Sequence, residues 1–194
     1  MRKLLATGVI PGAKTEGRYV FPLPALQILQ ARETADLLTL PHREIPVLRP
    51  SSAGPATGNP DREWSGFRAD LTERQLLEAL SGWWRCDPAR VAAARVLPVT
   101  VAGFVVAVLT GLDEWTSDRA AGAQARYRFT GARLAGYLTD LTHPANQIAS
   151  APAGTDDRRL ADLLLGARLH SQSSGPIAYV ATRTTTDQPA DEGE

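Results

Sequence analysis

The chain has 194 residues, with 21 Lys and Arg balanced by 21 Asp and Glu; the resulting zero net charge argues against attachment to nucleic acid by bulk positive charge, because such domains are usually strongly basic. This length allows one sizeable core, or a small module plus a domain of roughly 100 to 150 residues, and the segmentation along the chain favours the second. One cysteine, Cys86, cannot form an internal disulfide, and with no charged n-region and apolar h-region at the start, the simplest compartment is a reducing cytoplasm.

Charge is unevenly spread. Residues 1 to 49 carry seven Lys or Arg against four acids, a net of +3, and residues 183 to 194 carry one Arg against four acids, a net of −3. A basic head and an acidic tail result. In the head, Ala13 to Thr15 and Arg18 to Phe21 read as two short extended arms around Glu16-Gly17, where glycine can take the positive φ of a tight turn. Lys14 and Arg18 sit near the tip. Pro22 and Pro24 stop the strand and open a helix over roughly Leu23 to Leu38, with Leu26, Ile28 and Leu29 expected to pack back under the hairpin.

This order, Gly8-Val-Ile-Pro through Leu29, resembles the wing of MerR and excisionase-type winged helix-turn-helix proteins over about the first 35 residues. The resemblance implies a DNA contact in which Arg2, Lys3, Lys14, Arg18 and Tyr19 meet the phosphate backbone. It departs from the family in one respect: two helices precede the wing there, the second entering the major groove, whereas here only Met1 to Thr7 precede the turn. Either the start is truncated or the wing serves another use.

Residues 41 to 69 have linker character. Pro41, Pro46 and Pro50 punctuate a short extended piece over Glu44 to Arg49, and Ser51 to Pro60 is rich in Pro, Gly and Ser. The larger domain, residues 70 to 182, opens with a helix capped by Asp70 or Thr72, with Glu73 or Gln75 three positions on, and Leu76, Leu77, Leu80 and Trp84 on one face. Trp83-Trp84-Arg85 at its end places two indoles about 100° apart on a helix. They cannot both bury on one side, which makes the trio a candidate binding surface. Asp87-Pro88 starts another helix.

Val96 to Leu112 is 17 residues without a charge, at the short end of what crosses a bilayer. Its valines, Pro98 and Gly103 read instead as two buried strands, Val96 to Val101 and Phe104 to Leu109, turning at Ala102-Gly103. Ser117 to Gln124 reads as a polar loop and Arg126 to Phe129 as a strand with one wet face. Thr155-Asp156-Asp157 is expected to cap a helix over Leu160, Leu163, Leu164 and Leu169, Pro176 to Ala181 to form a closing strand, and residues 183 to 194 to be a disordered acidic tail. The fold class is therefore α+β: a truncated winged-helix-like module over residues 1 to 40, then a small, mostly antiparallel sheet or barrel with helices. The order Trp83-Trp84-Arg85, Val-rich hairpin, Arg126-Tyr-Arg-Phe and Gly175-Pro-Ile-Ala-Tyr-Val faintly resembles PUA-superfamily barrels, which bind modified or flipped bases and structured RNA.

No pattern of catalysis emerges. His42, His143 and His170 are far apart in sequence, and none has a second ligand at zinc spacing. Asp87 opposes thiolate formation at Cys86, which reads as a small buried hydrophobe. Gly54 to Gly58 lacks the Lys-Ser/Thr ending of a phosphate loop. The expectation is a cytoplasmic, non-enzymatic protein without metal or cofactor that binds double-stranded DNA in regulation or a related transaction. One small wing makes few contacts, so a homodimer or a larger complex is expected. The alternative is an assembly or accessory subunit whose hairpin and tryptophans dock on another protein.

Overall fold

The computed structural model describes residues 1–15, 18–56, 62–118, 124–143, 147–149 and 154–183. It is built on the apolar run in mid-sequence. Strands β6 (Leu97–Val101) and β7 (Phe104–Thr110) form an antiparallel hairpin. Its two-residue turn, Ala102-Gly103, has φ of 52° and 86°, the left-handed pair that matches the twist of the flanking strands. Every residue of β6 is buried, and β7 is buried from Val105 onward. Burial on both faces is why the segment shows no apolar–polar alternation, and among the described residues no helix is long and apolar enough to cross a membrane.

With β3 (Glu44–Leu48), β10 (Arg133–Leu138), β11 (Gln147–Ala149) and β12 (Ile177–Ala181) the hairpin makes a six-stranded sheet in the order β11-β10-β7-β6-β3-β12, while the short β4 (Gly54–Pro55) and β5 (Trp64–Ser65) pair with each other. The pairs of the six-stranded sheet are antiparallel except β3 with β6. The fold is α+β, as expected. Strand β3 corrects the linker reading of residues 41 to 69: Ile45, Val47 and Leu48 are fully buried between β6 and β12. Pro46, which cannot donate to a ladder, stands opposite Tyr179 in the pairing with β12, while the parallel pairing with β6 is made at Leu48 and Val99. The expected closing strand is β12, which pairs with β3 along its whole length.

Two apolar layers cover the sheet. On one side Leu97, Val99 and Val101 pack in a cluster with Leu4, Val9, Ile10 and Leu29 from the first 40 residues and with Leu76, Leu80 and Val91 from two helices further on. On the other, Val105 and Val108 pack with Ile45, Val47, Ala161 and Leu164. The amino-terminal segment thus contributes to the same core as the sheet.

Local chemistry sets most helix starts. Helix α3 (Glu73–Leu80) carries a capping box in which Thr72 Oγ1 accepts from the Gln75 amide and the Gln75 side chain accepts from the Thr72 amide. In helix α4 (Pro88–Ala94), Asp87 accepts from the amides of Ala89 and Arg90 behind a proline in the first turn. Helix α5 (Thr155–Leu164) departs from expectation. Its N-cap is Gly154 without a side-chain cap, and Asp156 and Asp157 lie inside the first turn, where carboxylates still favour the helix dipole. It stops before Leu169.

Helix α2 (Leu23–Ala31) also ends early, short of Leu38. Arg32 is extended (ψ 128°), and the next residues bridge to Arg168: its amide donates to Glu33 O and its carbonyl accepts from the Ala35 amide, each at 2.8 Å. Leu37–Thr39 then forms one 3₁₀ turn capped by Asp36. Strand β8 (Trp115–Asp118) runs into the segment expected as a polar loop and pairs with β9 (Arg126–Phe129). The expected acidic tail, from residue 184 on, lies outside the described residues.

Candidate functional site

Helix α1 (Arg2–Ala6) leads into the expected hairpin, β1 (Ala13–Thr15) against β2 (Arg18–Val20). Among the described residues the two strands pair only with each other, and the register sets Lys14 opposite Tyr19 and Thr15 opposite Arg18. The expected turn, Glu16-Gly17, lies outside the described residues. All of β2 is exposed. The Arg2 guanidinium lies 5.5 Å from the centre of the Tyr19 ring, within the range of a cation–π contact. Three of the five expected backbone-contacting residues, Arg2, Arg18 and Tyr19, are exposed on α1 and β2, and Lys14 stands opposite Tyr19 in the strand register.

Lys3 is different. It is half-buried, and burial, with the nearby Arg49 cation adding to it, holds its ammonium below the ordinary lysine range. It faces the body of the protein. Helix α1 has five residues, too short to serve as a recognition helix. The packing under the hairpin also differs in detail from expectation. Helix α2 buries Ala25 and Leu29, four apart, while Ile28 is 37% exposed. Val20 and Leu23 are likewise 56% and 66% exposed.

The second expected surface, Trp83-Trp84-Arg85, is not on a helix. Helix α3 stops at Leu80, and the chain continues extended along the outer edge of β9. The amides and carbonyls of Trp84 and Tyr127 exchange two hydrogen bonds of 2.9 Å, and the Phe129 amide donates to Ser81 O at 2.8 Å. Gly82 lies so close to this strand that a Cβ would come within 2.6 Å of Arg128 Cα. Trp84 is buried and its indole N–H donates to Leu80 O at 2.8 Å. Trp83 is half-buried, and its indole N–H has no acceptor. Arg85 is exposed. The helical 100° argument therefore does not apply: Trp84 joins the core because adjacent residues of an extended segment point to opposite faces.

Arg62 completes this corner and was invisible in the sequence. Its guanidinium sits 5.6 Å from the centre of the Trp84 ring, and its Nε and Nη1 are buried without an acceptor. Burial pushes its pKa below the ordinary arginine value, and the cations of Arg126 and Arg128 push it further the same way. Alternation in Arg126-Tyr-Arg-Phe signalled the latter two as a pair on one strand face; nothing local links Arg62 to them.

Other features suggest no chemistry. Burial, with the adjacent Asp87 charge adding to it, drives the Cys86 thiol up to about 12, leaving it a poor nucleophile. His143 Nδ1 lies 2.8 Å from Asp140; burial acts to raise the Asp140 pKa, but the Thr142 hydrogen bonds and His143 outweigh it and hold the carboxyl low. A cleft of about 830 Å³ beside α5 is lined by His42, Arg95, Thr110, Arg133 and Asp157. Arg133 and Asp157 are 3.7 Å apart there, and the buried Thr110 hydroxyl has no partner. Among the described residues, no three His, Cys, Asp or Glu side chains are grouped to hold a metal.

No protein-family model, curated protein or solved structure matches the chain.

Proposed function

We propose that the protein binds double-stranded DNA through the α1–hairpin surface, without catalysis, in regulation or a related DNA transaction. The observation that carries this reading is the self-paired hairpin itself: β2 is exposed along its length, with Arg18 on it and Arg2 against Tyr19. Cations on an exposed element suit phosphate contacts, which position a protein on a duplex without reading its sequence. Arg2, Lys14 and Arg18 give few such contacts. A homodimer, or a larger complex presenting several hairpins, supplies the rest through effective concentration.

The experiment is fluorescence anisotropy of the protein with a labelled random duplex across a range of salt concentrations. Binding is expected to weaken with salt, with a log–log slope of about −3 or shallower per chain for three cations. Lys14→Ala with Arg18→Ala is expected to flatten that slope and weaken binding. Absence of binding by the folded protein at low salt overturns the reading.

One observation favours a second reading. Val20, Leu23 and Ile28 expose apolar surface beside the hairpin, which suits docking on a protein. On that reading, Leu23→Asp abolishes association with the partner and leaves any DNA affinity unchanged.

A further inference from the structure

We infer that the cleft beside α5 is a binding site for a small carboxylate with an apolar body, a reading independent of any DNA contact by the hairpin. The cleft holds about 830 Å³, within the range of sites that enclose small organic molecules. Strand alternation turns two polar side chains toward it. Val108 packs in the apolar layer under α5 and Leu109 in the opposite layer, so the next residue, Thr110, returns to the α5 side. Leu134 also packs in the opposite layer, which places Arg133 on the α5 side. Thr110 and Arg133 stand directly opposite one another in the β7–β10 ladder, and both line the cleft. Leu40, Val96, Leu160 and Leu163 give it an apolar wall on the same side of the sheet.

Both polar groups have hydrogen-bonding capacity to spare. Thr110 is 2% exposed, and its hydroxyl has no partner among the described residues, a cost that a ligand oxygen removes. Arg133 Nη2 stands 3.7 Å from Asp157 Oδ2, close enough to pair in charge and too far for a hydrogen bond. Gly111 seats this guanidinium: a Cβ there would lie 3.0 Å from Arg133 Nη1 and 3.1 Å from its Cζ. A fork placed in this way binds without first being ordered.

Charge decides the class of ligand. Arg95 and Arg159 on the cleft lining are exposed and are balanced by the exposed Asp113 and Asp156, so the choice falls to Arg133 and Asp157. Asp157 lies in the first turn of α5, where the helix amides already favour a carboxylate. Arg133 has no such support, and it is the group that a ligand completes. A guanidinium matches a carboxylate with two parallel N–H donors, and the Thr110 hydroxyl can donate a third. The leucine and valine wall takes the apolar body, which a bare inorganic anion lacks.

The test is differential scanning calorimetry of the full chain at constant ionic strength, with decanoate below its micellar concentration and, separately, with 2-naphthoate. Acetate, which lacks the apolar body, and decylammonium, which reverses the charge, are the controls. At least one of the two amphipathic carboxylates is expected to raise the melting temperature, because a ligand that binds only the native state stabilises it; neither control does so. Arg133→Gln removes a half-exposed charge whose long ion pair contributes little to the fold, and it is expected to weaken that ligand about tenfold, the loss of one charge-assisted contact. Arg133→Lys keeps the charge without the fork and recovers only part of the affinity. Thr110→Val, expected to fold at least as stably without ligand, weakens the carboxylate several-fold. Arg74→Gln keeps the wild-type response.

The inference is overturned if wild type responds to neither carboxylate, if decylammonium stabilises it as much, or if Arg133→Gln and Thr110→Val both respond as wild type does. Arg133→Gln keeps the salt-dependent duplex binding expected of the hairpin, and Lys14→Ala with Arg18→Ala keeps the response to carboxylate, so the two readings fail separately.

Discussion

Two β-ribbons of this protein carry arginines and aromatic residues, and they hold them in different physical states. The β1–β2 ribbon presents Arg18 and Tyr19 to solvent and, among the described residues, pairs with no other strand. The β8–β9 ribbon is fastened on its outer edge by residues 81 to 84 and pinned to the core by Phe129, which is 1% exposed. Solvated cations cost nothing to keep and attract anions only weakly. A cation that burial desolvates costs stability, and the lowered pKa of Arg62 has burial as its largest cause. The same residue types thus stand solvated in one place and packed against neighbouring elements in the other.

The contrast breaks most readily at its anchors. Phe129→Ala is expected to lower unfolding free energy by about 3 to 5 kcal/mol through loss of a filled core position, whereas Val20→Ala on the free ribbon changes it by less than about 0.5 kcal/mol; urea denaturation of the two variants measures both. If Val20→Ala costs as much, the first ribbon is not free.

Cys86 reports on the anchored segment. Its thiol ionises near 9.0 in its ordinary state and at about 12 in the fold, so at pH 8.5 the native thiol is expected to react with a thiol reagent about a thousandfold more slowly than in the unfolded chain, one decade per pKa unit. The raised pKa also fixes the sign of its pH dependence. The contribution to stability is complete below about pH 9 and is lost as pH climbs toward 12; Cys86→Ala removes that part of the decline in alkaline denaturation curves.

A smaller effect comes from the cleft beside α5. The Thr110 hydroxyl is buried without a partner, so Thr110→Val is expected to raise stability by about 1 kcal/mol, seen as a higher denaturation midpoint. A fall shows that the hydroxyl is satisfied in solution, for example by water, and that the cleft is wetter than its lining suggests.

What could be read from the sequence was local. Ala102-Gly103 between two valine-rich runs, Thr72 three residues before Gln75, and Asp87-Pro88 each carry the chemistry that makes the turn or cap, and each stands where expected. Long-range pairing was not legible. Glu44 to Leu48 sits among prolines and looks like linker, yet β6 and β12 close on both its edges. Helix α2 breaks at Arg32 because Glu33 and Ala35 bond Arg168, some 130 residues on. Trp83 and Trp84 follow a helix in sequence, but β9 draws them into an extended edge. The hairpin cations were visible because they are neighbours in the chain. Arg62 was not, since its relation to Arg126 and Arg128 exists only once Trp84 has paired with Tyr127.

The most direct test of the DNA assignment is amide hydrogen exchange of the full protein with and without a short random duplex at low salt. The account predicts slowed exchange in α1 and the β1–β2 hairpin that disappears as salt is raised. Unchanged exchange in residues 1 to 20 under conditions where the duplex is bound contradicts it.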